Sequence, residues 1–383
     1  MATAITMWDF SWLQRRRPGE NEYEDVAAVV DGLVERGYQC VRVDAFPHLV
    51  SAARRDPSID HFTVTPEPEH FMWGAHHQPI VIRDPAAALL DFIRTCDDRG
   101  VTVALSSWFN HDDRDVRAAI VTPDDLAAVW IATIELVEQA GLLDAVEYLD
   151  LCNEFPLHLW LPSVYRRIFG DIQPDAASPG GPGVDEWIWT AAERHAIEEY
   201  LAIADRIRER WPTIPVTMSY APASQSVHDL DVSRLDFIET HVWLNTNVRE
   251  FGRAVAFRTR DHGFPGAYQK TVDTLDDLYW PDPQRWHAQL GAEMRRWRDT
   301  GARAGKPLWT TEGWSNVLMD EFTSAGGRSS WDFVRSVAEY AVPLAVELGW
   351  QGICTSNFSQ PHFPGLWNDI EWHRRMTGII RGA

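Results

Sequence analysis

Two glutamates stand at the ends of apolar runs and are the residues best suited to act together in catalysis. Glu154 closes the segment VEYLDLCNE, and Glu312 closes the segment KPLWTTE much further along the chain. If both runs are parallel strands of one closed barrel, the two carboxyl groups face the same cleft. A pair about 5 Å apart can cleave a glycosidic bond, because one carboxyl protonates the leaving oxygen and the other attacks the anomeric carbon. Alternatively, either glutamate is a cleft residue that pairs with an arginine such as Arg42.

Strand-like segments that alternate with helix-like segments are the elements that must position this pair. Strands are predicted at 4–10, 39–45, 101–107, 146–152, 214–220, 235–242, 307–311 and 351–356. Helices are predicted at 22–36, 85–99, 123–140, 186–211, 283–304 and 330–348, from apolar faces at helical spacing and from start and stop residues such as Pro85 and Gly37. This alternation predicts the α/β class and a (β/α)8 TIM barrel, because open doubly wound sheets usually have fewer strands and a glycine-rich first turn.

The expected barrel accounts for the whole chain. Single barrels often exceed about 250 residues through loop insertions, so we expect one catalytic domain over residues 1–383. The long loops follow strands 2, 4 and 6, at 46–84, 156–185 and 243–282. Because barrel active sites are built from the loops after the strands, these insertions are expected to wall the cleft.

Four segments resemble those of a known family of sugar-cleaving enzymes. They are GYQCVRVDAFP at strand 2, DLCNEFP at strand 4, IETHVW at strand 6 and TTEGWS at strand 7. The chain resembles a clan A glycoside hydrolase and is similar to glycoside hydrolase family 5 and to bacterial cellulase-like hydrolases. The resemblance implies that Glu154 is the acid/base, that Glu312 is the nucleophile and that Asn153 binds the 2-hydroxyl of the sugar. It also implies that Arg42 lies beside the nucleophile, where its charge is expected to lower the pKa of Glu312.

Strand 6 departs from that family's pattern. His241 and Trp243 resemble its His-x-Tyr motif, but the aromatic hydroxyl that normally touches the nucleophile is missing. Tyr220 at the end of strand 5 could supply a replacement hydroxyl. Alternatively, His241 is a hydrogen-bonded histidine of the barrel.

Strand 8 departs as well, because it lacks the tryptophan that usually stacks under the sugar. The run ends in TSNFSQ, which brings Asn357 to that position. The stacking platform could come from Trp314, Trp367 or Trp108, although each of these rings could equally pack in the core.

Two aspartates and a histidine are further candidates for binding sugar hydroxyls. Asp9 and Asp44 stand near the ends of apolar strands, where an unpaired charge is costly. They could close the pocket around a terminal sugar, or they could form hydrogen bonds within the barrel rim. His111 follows strand 3, where many relatives carry a histidine near the sugar.

The composition argues against several other classes of protein. A formal net charge of -21 disfavours a nucleic-acid partner, which requires clustered Lys and Arg. The four cysteines have no disulfide or metal spacing, and no metal-binding motif occurs, so neither metal nor cofactor is expected. The chain begins without a secretion signal and contains no apolar run long enough to span a membrane, so we expect a cytoplasmic protein without membrane contact.

Taken together, these features predict a retaining β-glycoside hydrolase that acts from a chain end or on small glycosides. The expected partner is a small-molecule or oligosaccharide substrate, and the oligomeric state stays open. Two alternatives use the same residues: a carbohydrate-binding protein that has lost catalysis, and a transglycosylase that transfers the sugar to an acceptor.

Overall fold

Eight parallel strands confirm the predicted (β/α)8 barrel. The computed structural model describes residues 1–16, 21–65, 79–171, 188–220, 225–259, 266–315 and 321–382. The barrel strands are β1 (Thr3–Asp9), β2 (Cys40–Asp44), β3 (Thr102–Ser106), β4 (Val146–Asp150), β5 (Val216–Thr217), β6 (Ile238–Glu239), β7 (Leu308–Thr310) and β8 (Gly352–Cys354). Each of them lies within a predicted strand or overlaps it closely. Parts of all three long loops lie outside the described residues.

The barrel closes in chain order. Parallel pairing runs from β5 through β4, β3, β2, β1, β8 and β7 to β6. The last seam, between β5 and β6, is closed just beyond the strands by a parallel bridge between Tyr220 and Thr240. There the Tyr220 N–H donates to the Glu239 carbonyl (3.1 Å) and the His241 N–H donates to the Tyr220 carbonyl (3.0 Å). The carboxyl ends of all eight strands therefore meet at one mouth.

Helices surround the barrel between successive strands. They are α1 (Ser11–Gln14), α2 (Val26–Glu35), α3 (Pro47–Arg55), α4 (Pro85–Asp97), α5 (Pro123–Gln139), α6 (Pro162–Phe169), α7 (Ala191–Leu201), α8 (Ile203–Arg210), α9 (Leu244–Asn247), α10 (Arg249–Thr259), α11 (Gly266–Leu278), α12 (Pro283–Ala304), α13 (Ser330–Glu347), α14 (Pro364–Trp367) and α15 (Ile370–Arg381). Local signals explain their ends: a capping box of Thr122 and Asp125 opens α5, and Gly305 in a left-handed conformation closes α12. The helix predicted at 186–211 is two helices that meet at Ala202.

Side chains fill the barrel in layers, because every second residue of a strand faces inward. The lowest layer is an apolar cluster of buried residues: Ile5, Cys40, Ala104, Tyr148, Phe237 and Trp309. Two positions further along the same strands, the inward residues are Met7, Arg42, Ser106, Asp150, Glu239 and Thr311. An apolar floor therefore supports a largely polar layer directly below the mouth.

Two short pairings lie outside the barrel sheet. Phe62–Val64 pairs antiparallel with Ile80–Ile82 in the loop after β2, and Val242–Trp243 pairs in parallel with Gly313–Trp314 above β6 and β7. The second pairing holds the segments around His241 and Glu312 side by side. No helix in the described ranges has both the length and the apolar character needed to cross a bilayer.

Candidate active site

Arg42 is the central cation of the polar layer. Its side chain is fully buried, and Nη1 donates to Glu312 Oε1 at 3.0 Å. Nη2 donates to Asp150 Oδ2 (2.5 Å) and to Asn153 Oδ1 (2.6 Å). Nε lies 3.6 Å from Glu239 Oε1. The guanidinium thus joins the residue before Glu154 to the carboxylate of Glu312, as its position on β2 predicts.

The two predicted catalytic glutamates lie close together, and only Glu312 contacts Arg42 directly. Glu154 has a left-handed backbone (φ 47°), and its N–H donates to Ser219 Oγ at 3.0 Å. Its side chain is 18% exposed, whereas the side chain of Glu312 is 5% exposed. One carboxylate oxygen of each glutamate and one ring nitrogen of His241 all lie within 4.8 Å of one another. This spacing suits attack by one carboxylate and proton donation by the other, and leaves little room for an intervening water.

His241 bridges the pair. Nδ1 lies 2.9 Å from Glu154 Oε1 and 3.5 Å from Glu312 Oε2, while Nε2 lies 3.9 Å from Glu239 Oε1. Burial by itself lowers the pKa of His241, but the surrounding carboxylates of Glu312, Glu154 and Glu239 outweigh it and raise the pKa to about 10. The imidazole is therefore a second buried cation at neutral pH.

The pKa of Glu312 moves in the opposite direction from the one expected. Burial raises this pKa to about 7, and the cations His241 and Arg42 offset only part of the rise, to which the charge of Glu154 also contributes. The lowering expected from Arg42 is therefore present but is outweighed by the burial of the carboxyl group. Burial also raises the pKa of Asp150, against the attraction of Arg42.

The balance of charges in the cluster agrees with the raised pKa of Glu312. Two cations, Arg42 and His241, face four buried or partly buried carboxyl groups, namely Asp150, Glu239, Glu154 and Glu312. Full ionisation of all four would leave two uncompensated negative charges in a buried cluster, which is unfavourable. The raised pKa of Glu312 relieves part of this excess, because its carboxyl group can take up a proton near neutral pH.

Glu154, His241 and Glu312 are also the one group of three within the described ranges that could hold a metal ion. A metal requires neutral imidazole, whereas this imidazole is held in its charged form by the carboxylates around it. In addition, Glu312 Oε1 already accepts a hydrogen bond from Arg42. The donor set therefore suits proton transfer better than metal binding, and chemistry without a metal stays a prediction.

Two acidic residues of the polar layer, Asp150 and Glu239, complete the site without having been singled out from the sequence. Asp150 accepts hydrogen bonds from Ser106 Oγ (2.6 Å) and from the backbone N–H of Ser219 (2.8 Å). Glu239 accepts a hydrogen bond from Thr311. The sequence did contain a signal for both residues. Each is a carboxylate inside an apolar run, at VEYLD and DFIE, and each alternates in step with the inward-facing residues of its strand.

Asp9 and Asp44 hold the rim of the mouth together. Asp9 accepts hydrogen bonds from the Ser11 N–H (2.5 Å) and from Gln360 Nε2 (3.2 Å). Asp44 accepts them from the N–H groups of Phe46 (2.7 Å) and Trp108 (3.1 Å). Burial raises the pKa of each aspartate to about 7 despite these hydrogen bonds. These contacts match the rim alternative considered for both residues.

Trp108 and Trp243 lie beside the catalytic cluster, whereas His111 does not. The Arg42 guanidinium lies 4.6 Å from the centre of the Trp108 ring. Trp243 is buried and belongs to the short pairing next to Glu312. The His111 side chain is 40% exposed, and Nε2 lies 3.8 Å from Asp115 Oδ1 on the outer loop.

Three other candidate residues face away from the mouth. Tyr220 lines a cavity of about 180 Å³ between the barrel wall and α12, because the neighbouring Ser219 takes the inward position. The Trp314 ring is 1% exposed, lies 5.9 Å from the Trp350 ring and donates from Nε1 to the Cys354 carbonyl.

Trp367 packs in the helical layer, with the Arg36 guanidinium 3.9 Å from its ring centre. The structure therefore gives Tyr220 no contact with the catalytic pair and uses Trp314 and Trp367 as packing residues. Asn357, by contrast, lies at the end of β8 near Glu312: its N–H donates to the carbonyl of the next residue, Gly313 (2.9 Å).

Comparison with known proteins agrees with this fold. A family model described as sugar-binding and cellulase-like matches residues 5–381. A provisionally assigned glycoside hydrolase from Parabacteroides distasonis ATCC 8503 is similar with a TM-score of 0.81 and 29% identity, over 99% of this chain and 93% of that chain. No curated protein matches the sequence.

Two more distant solved structures share the fold alone. The endocellulase from Pyrococcus horikoshii has a TM-score of 0.50 at 12% identity, over 98% of this chain and 93% of that chain. The endo-β-1,4-mannanase from Thermotoga petrophila has a TM-score of 0.50 at 10% identity, over 99% of this chain and 77% of that chain.

Proposed function

The chain belongs to the family of sugar-binding, cellulase-like proteins, and on this premise we propose that it is a retaining β-glycoside hydrolase. The observation that carries the proposal is the spacing of Glu154, His241 and Glu312, whose reactive atoms lie within 4.8 Å of one another. Retaining enzymes need carboxyl groups about 5–5.5 Å apart, whereas inverting enzymes need a wider gap that holds a water molecule.

In the first step, Glu154 donates its proton to the leaving oxygen while a Glu312 oxygen forms a bond to the anomeric carbon. The bond between that carbon and the leaving oxygen breaks, and a glycosyl-enzyme ester results. In the second step, Glu154 takes a proton from water, whose oxygen attacks the same carbon and releases Glu312. Glu154 is partly exposed, which suits contact with the leaving group and with water. Glu312 is buried, which suits contact with the sugar ring at the anomeric carbon.

Neighbouring residues support these two roles. Arg42 and His241 carry positive charge next to Glu312, so they stabilise its carboxylate when it leaves the sugar. Arg42 Nη2 donates to Asn153 Oδ1, which orients the Asn153 amide so that its N–H₂ group is free to serve as a donor for a sugar hydroxyl.

We further propose that the substrate is a small glycoside or a chain end. The described part of the mouth beside β8, β1 and β2 is filled by the buried side chains of Gln360, Asp9, Asp44 and Trp108. Such a filled rim supports a pocket that is blocked on this side rather than a groove that a polymer crosses. Release of single sugar units from oligosaccharides is the expected product pattern, and internal cleavage would contradict it.

Azide rescue tests the two catalytic roles separately. In Glu312→Gly, activity on an aryl β-glycoside should be lost and then restored by azide as the α-glycosyl azide, because azide displaces the leaving group in one inverting step. In Glu154→Gly, a substrate with a good leaving group should still form the ester, and azide should then give the β-glycosyl azide. The opposite pairing of anomers, or undiminished activity of Glu312→Gly, would refute the assignment.

A non-catalytic sugar-binding protein is the second candidate, since the family description names sugar binding rather than hydrolysis. The intact carboxylate pair, with its cations in place, favours catalysis. Turnover of activated aryl β-glycosides by the wild-type protein distinguishes the two candidates. Product analysis at high acceptor concentration distinguishes hydrolysis from transglycosylation, which uses the same residues.

A further inference from the structure

Two amide side chains at the end of β8 are buried without full hydrogen bonding. Asn357 is fully buried, and within the described part of the chain neither its Nδ2 nor its Oδ1 has a hydrogen-bond partner. Gln360 is equally buried; its Nε2 donates to Asp9 Oδ2 (3.2 Å) and to the Asn357 carbonyl (3.0 Å), while its Oε1 has no partner there. One unpaired donor and two unpaired acceptors are thus grouped in one place, and burying such groups is costly unless a ligand engages them.

These amides lie beside the catalytic residues. The Asn357 N–H is bonded to the carbonyl of Gly313, the residue that follows Glu312. Gln360 Nε2 lies 3.8 Å from the Met7 sulfur, and Met7 is the register partner of Arg42. The two amides therefore border the polar layer at the seam between β8 and β1.

Barrel geometry indicates which part of a glycoside meets this seam. In a closed barrel of eight strands, β8 lies opposite β4, which carries the proposed acid Glu154. The leaving group must contact Glu154, so the sugar that is transferred to Glu312 extends toward the other side of the mouth. That side is formed by β8 and β1.

We propose that Asn357 and Gln360 bind the hydroxyls of the transferred sugar and so determine which sugar is accepted. A sugar hydroxyl both donates and accepts, so two neighbouring hydroxyls can satisfy the Asn357 amide and Gln360 Oε1 together. The mouth already holds more carboxyl groups than cations, which disfavours an acidic sugar and favours a neutral glycoside. This inference rests on the proposed function, because it takes the mouth to be a sugar site, and it assigns recognition to hydrogen bonds rather than to an aromatic platform at β8.

Asn357→Leu separates a binding role from a structural one. The side-chain amide has no hydrogen bond to lose within the described residues, and leucine is close to it in size, so the melting temperature should stay unchanged or rise. Sugar affinity should fall about tenfold or more, as expected for lost hydrogen bonds in a buried site. A structural asparagine would show the reverse pattern, with a lower melting temperature and unchanged affinity.

The test measures binding rather than turnover. Isothermal titration calorimetry with the methyl β-glycosides of glucose, galactose, mannose and xylose identifies the tightest ligand of the wild-type protein. Its Kd is then measured for Asn357→Leu and Gln360→Ala. Gln39→Ala is the matched control, because this exposed amide lies at the opposite end of the barrel, where its Oε1 accepts from the Ala4 N–H.

Each outcome decides the inference. Weaker binding in both test variants, with Gln39→Ala unchanged, supports it. Unchanged affinity in Asn357→Leu, or no binding of any of the four sugars to the wild-type protein, overturns it. If the wild-type protein binds sugar through Asn357 but has no glycosidase activity, the proposed function alone is refuted. If Asn357→Leu keeps full activity and unaltered affinity, this inference alone is refuted.

Discussion

At the scale of single residues, His241 is the side chain whose charge most influences the site. Its imidazole touches Glu154, lies within 3.5 Å of Glu312 and lies within 3.9 Å of Glu239. A histidine among three carboxylates is protonated, although it is fully buried. The missing tyrosine hydroxyl of strand 6 is therefore replaced in part by a cationic N–H donor between Glu154 and Glu312.

The charge of His241 predicts a pH-dependent stability. Burial lowers its pKa, but the carboxylates raise the folded-state pKa to about 10, above the unfolded value near 6.5. The folded state therefore binds one more proton than the unfolded state between these values, and stability falls as pH rises through this range. Between pH 7 and pH 8 we expect His241 alone to lower the free energy of unfolding by up to about 1.4 kcal/mol.

Denaturant unfolding at pH 7.0, 7.5 and 8.0 measures this slope, and His241→Gln provides the comparison. Glutamine cannot take up the proton, so the slope of the variant should be smaller by about one proton per molecule. Equal slopes in the two proteins would mean that the folded imidazole is neutral at pH 7 and would remove the second cation from the charge balance of the site.

At the scale of elements, the alternation of side chains decides which candidates reach the mouth. After β5, Ser219 faces inward: its Oγ donates to Asp150 Oδ2 (2.9 Å) and accepts from the Glu154 N–H (3.0 Å). The next residue, Tyr220, must face the helices. The loop after β5 thus contributes a small hydroxyl to the catalytic cluster and directs the large phenol to the outer cavity.

This alternation predicts a large loss of activity for one of two neighbouring substitutions and almost none for the other. Ser219→Ala removes hydrogen bonds that hold Asp150 and the backbone of Glu154, so kcat/KM on an aryl glycoside should fall about tenfold or more. Tyr220→Phe removes a hydroxyl with no partner among the described residues, so kcat/KM should change less than about twofold. A large loss in Tyr220→Phe with normal thermal stability would place that hydroxyl in the reaction.

The same alternation explains how much of the molecule was predictable. The eight strands followed from apolar runs separated by helical patterns, and the close approach of Glu154 and Glu312 followed from their places at the ends of two of those runs. The orientation of Trp314 and Trp367 did not follow, because it depends on packing between distant elements rather than on spacing. The partners of Arg42 were only partly predictable: Glu312 was expected, whereas Asp150 and Glu239 depend on the register of three strands.

At the scale of the whole molecule, the barrel carries its buried charged side chains directly above a layer of apolar side chains. Six buried residues of the floor hold the strands at a fixed spacing, and the buried charges occupy the next layer. Buried ion pairs are weak sources of stability, so the floor and the helical layer must provide the stability of the fold. In return, the polar layer orients the catalytic pair without reorganisation during the reaction.

A substitution at Gly352 tests whether the apolar floor provides stability while the polar layer keeps its own geometry, because β7 and β8 approach closely there. Trp309 and Gly352 are register partners, and a Cβ atom added to Gly352 would lie 1.8 Å from Cε3 of the Trp309 indole. Gly352→Ala must therefore displace the indole from the floor, where it packs 5.1 Å from Phe237 and 5.4 Å from Tyr148 between ring centres. We expect destabilisation of about 1–3 kcal/mol or more, measured by denaturant unfolding.

A second substitution shows whether the clash with the indole is the cause. Trp309→Leu should destabilise the wild-type background by leaving a cavity but should cost less in Gly352→Ala, because the smaller side chain makes room for the new methyl group. A favourable coupling energy of about 1 kcal/mol or more is therefore expected. Additive effects would show that the indole does not restrict position 352. A normal kcat/KM in a Gly352→Ala protein of reduced stability would mean that the polar layer, which includes Thr311 two residues beyond Trp309, keeps its geometry when the floor is disturbed.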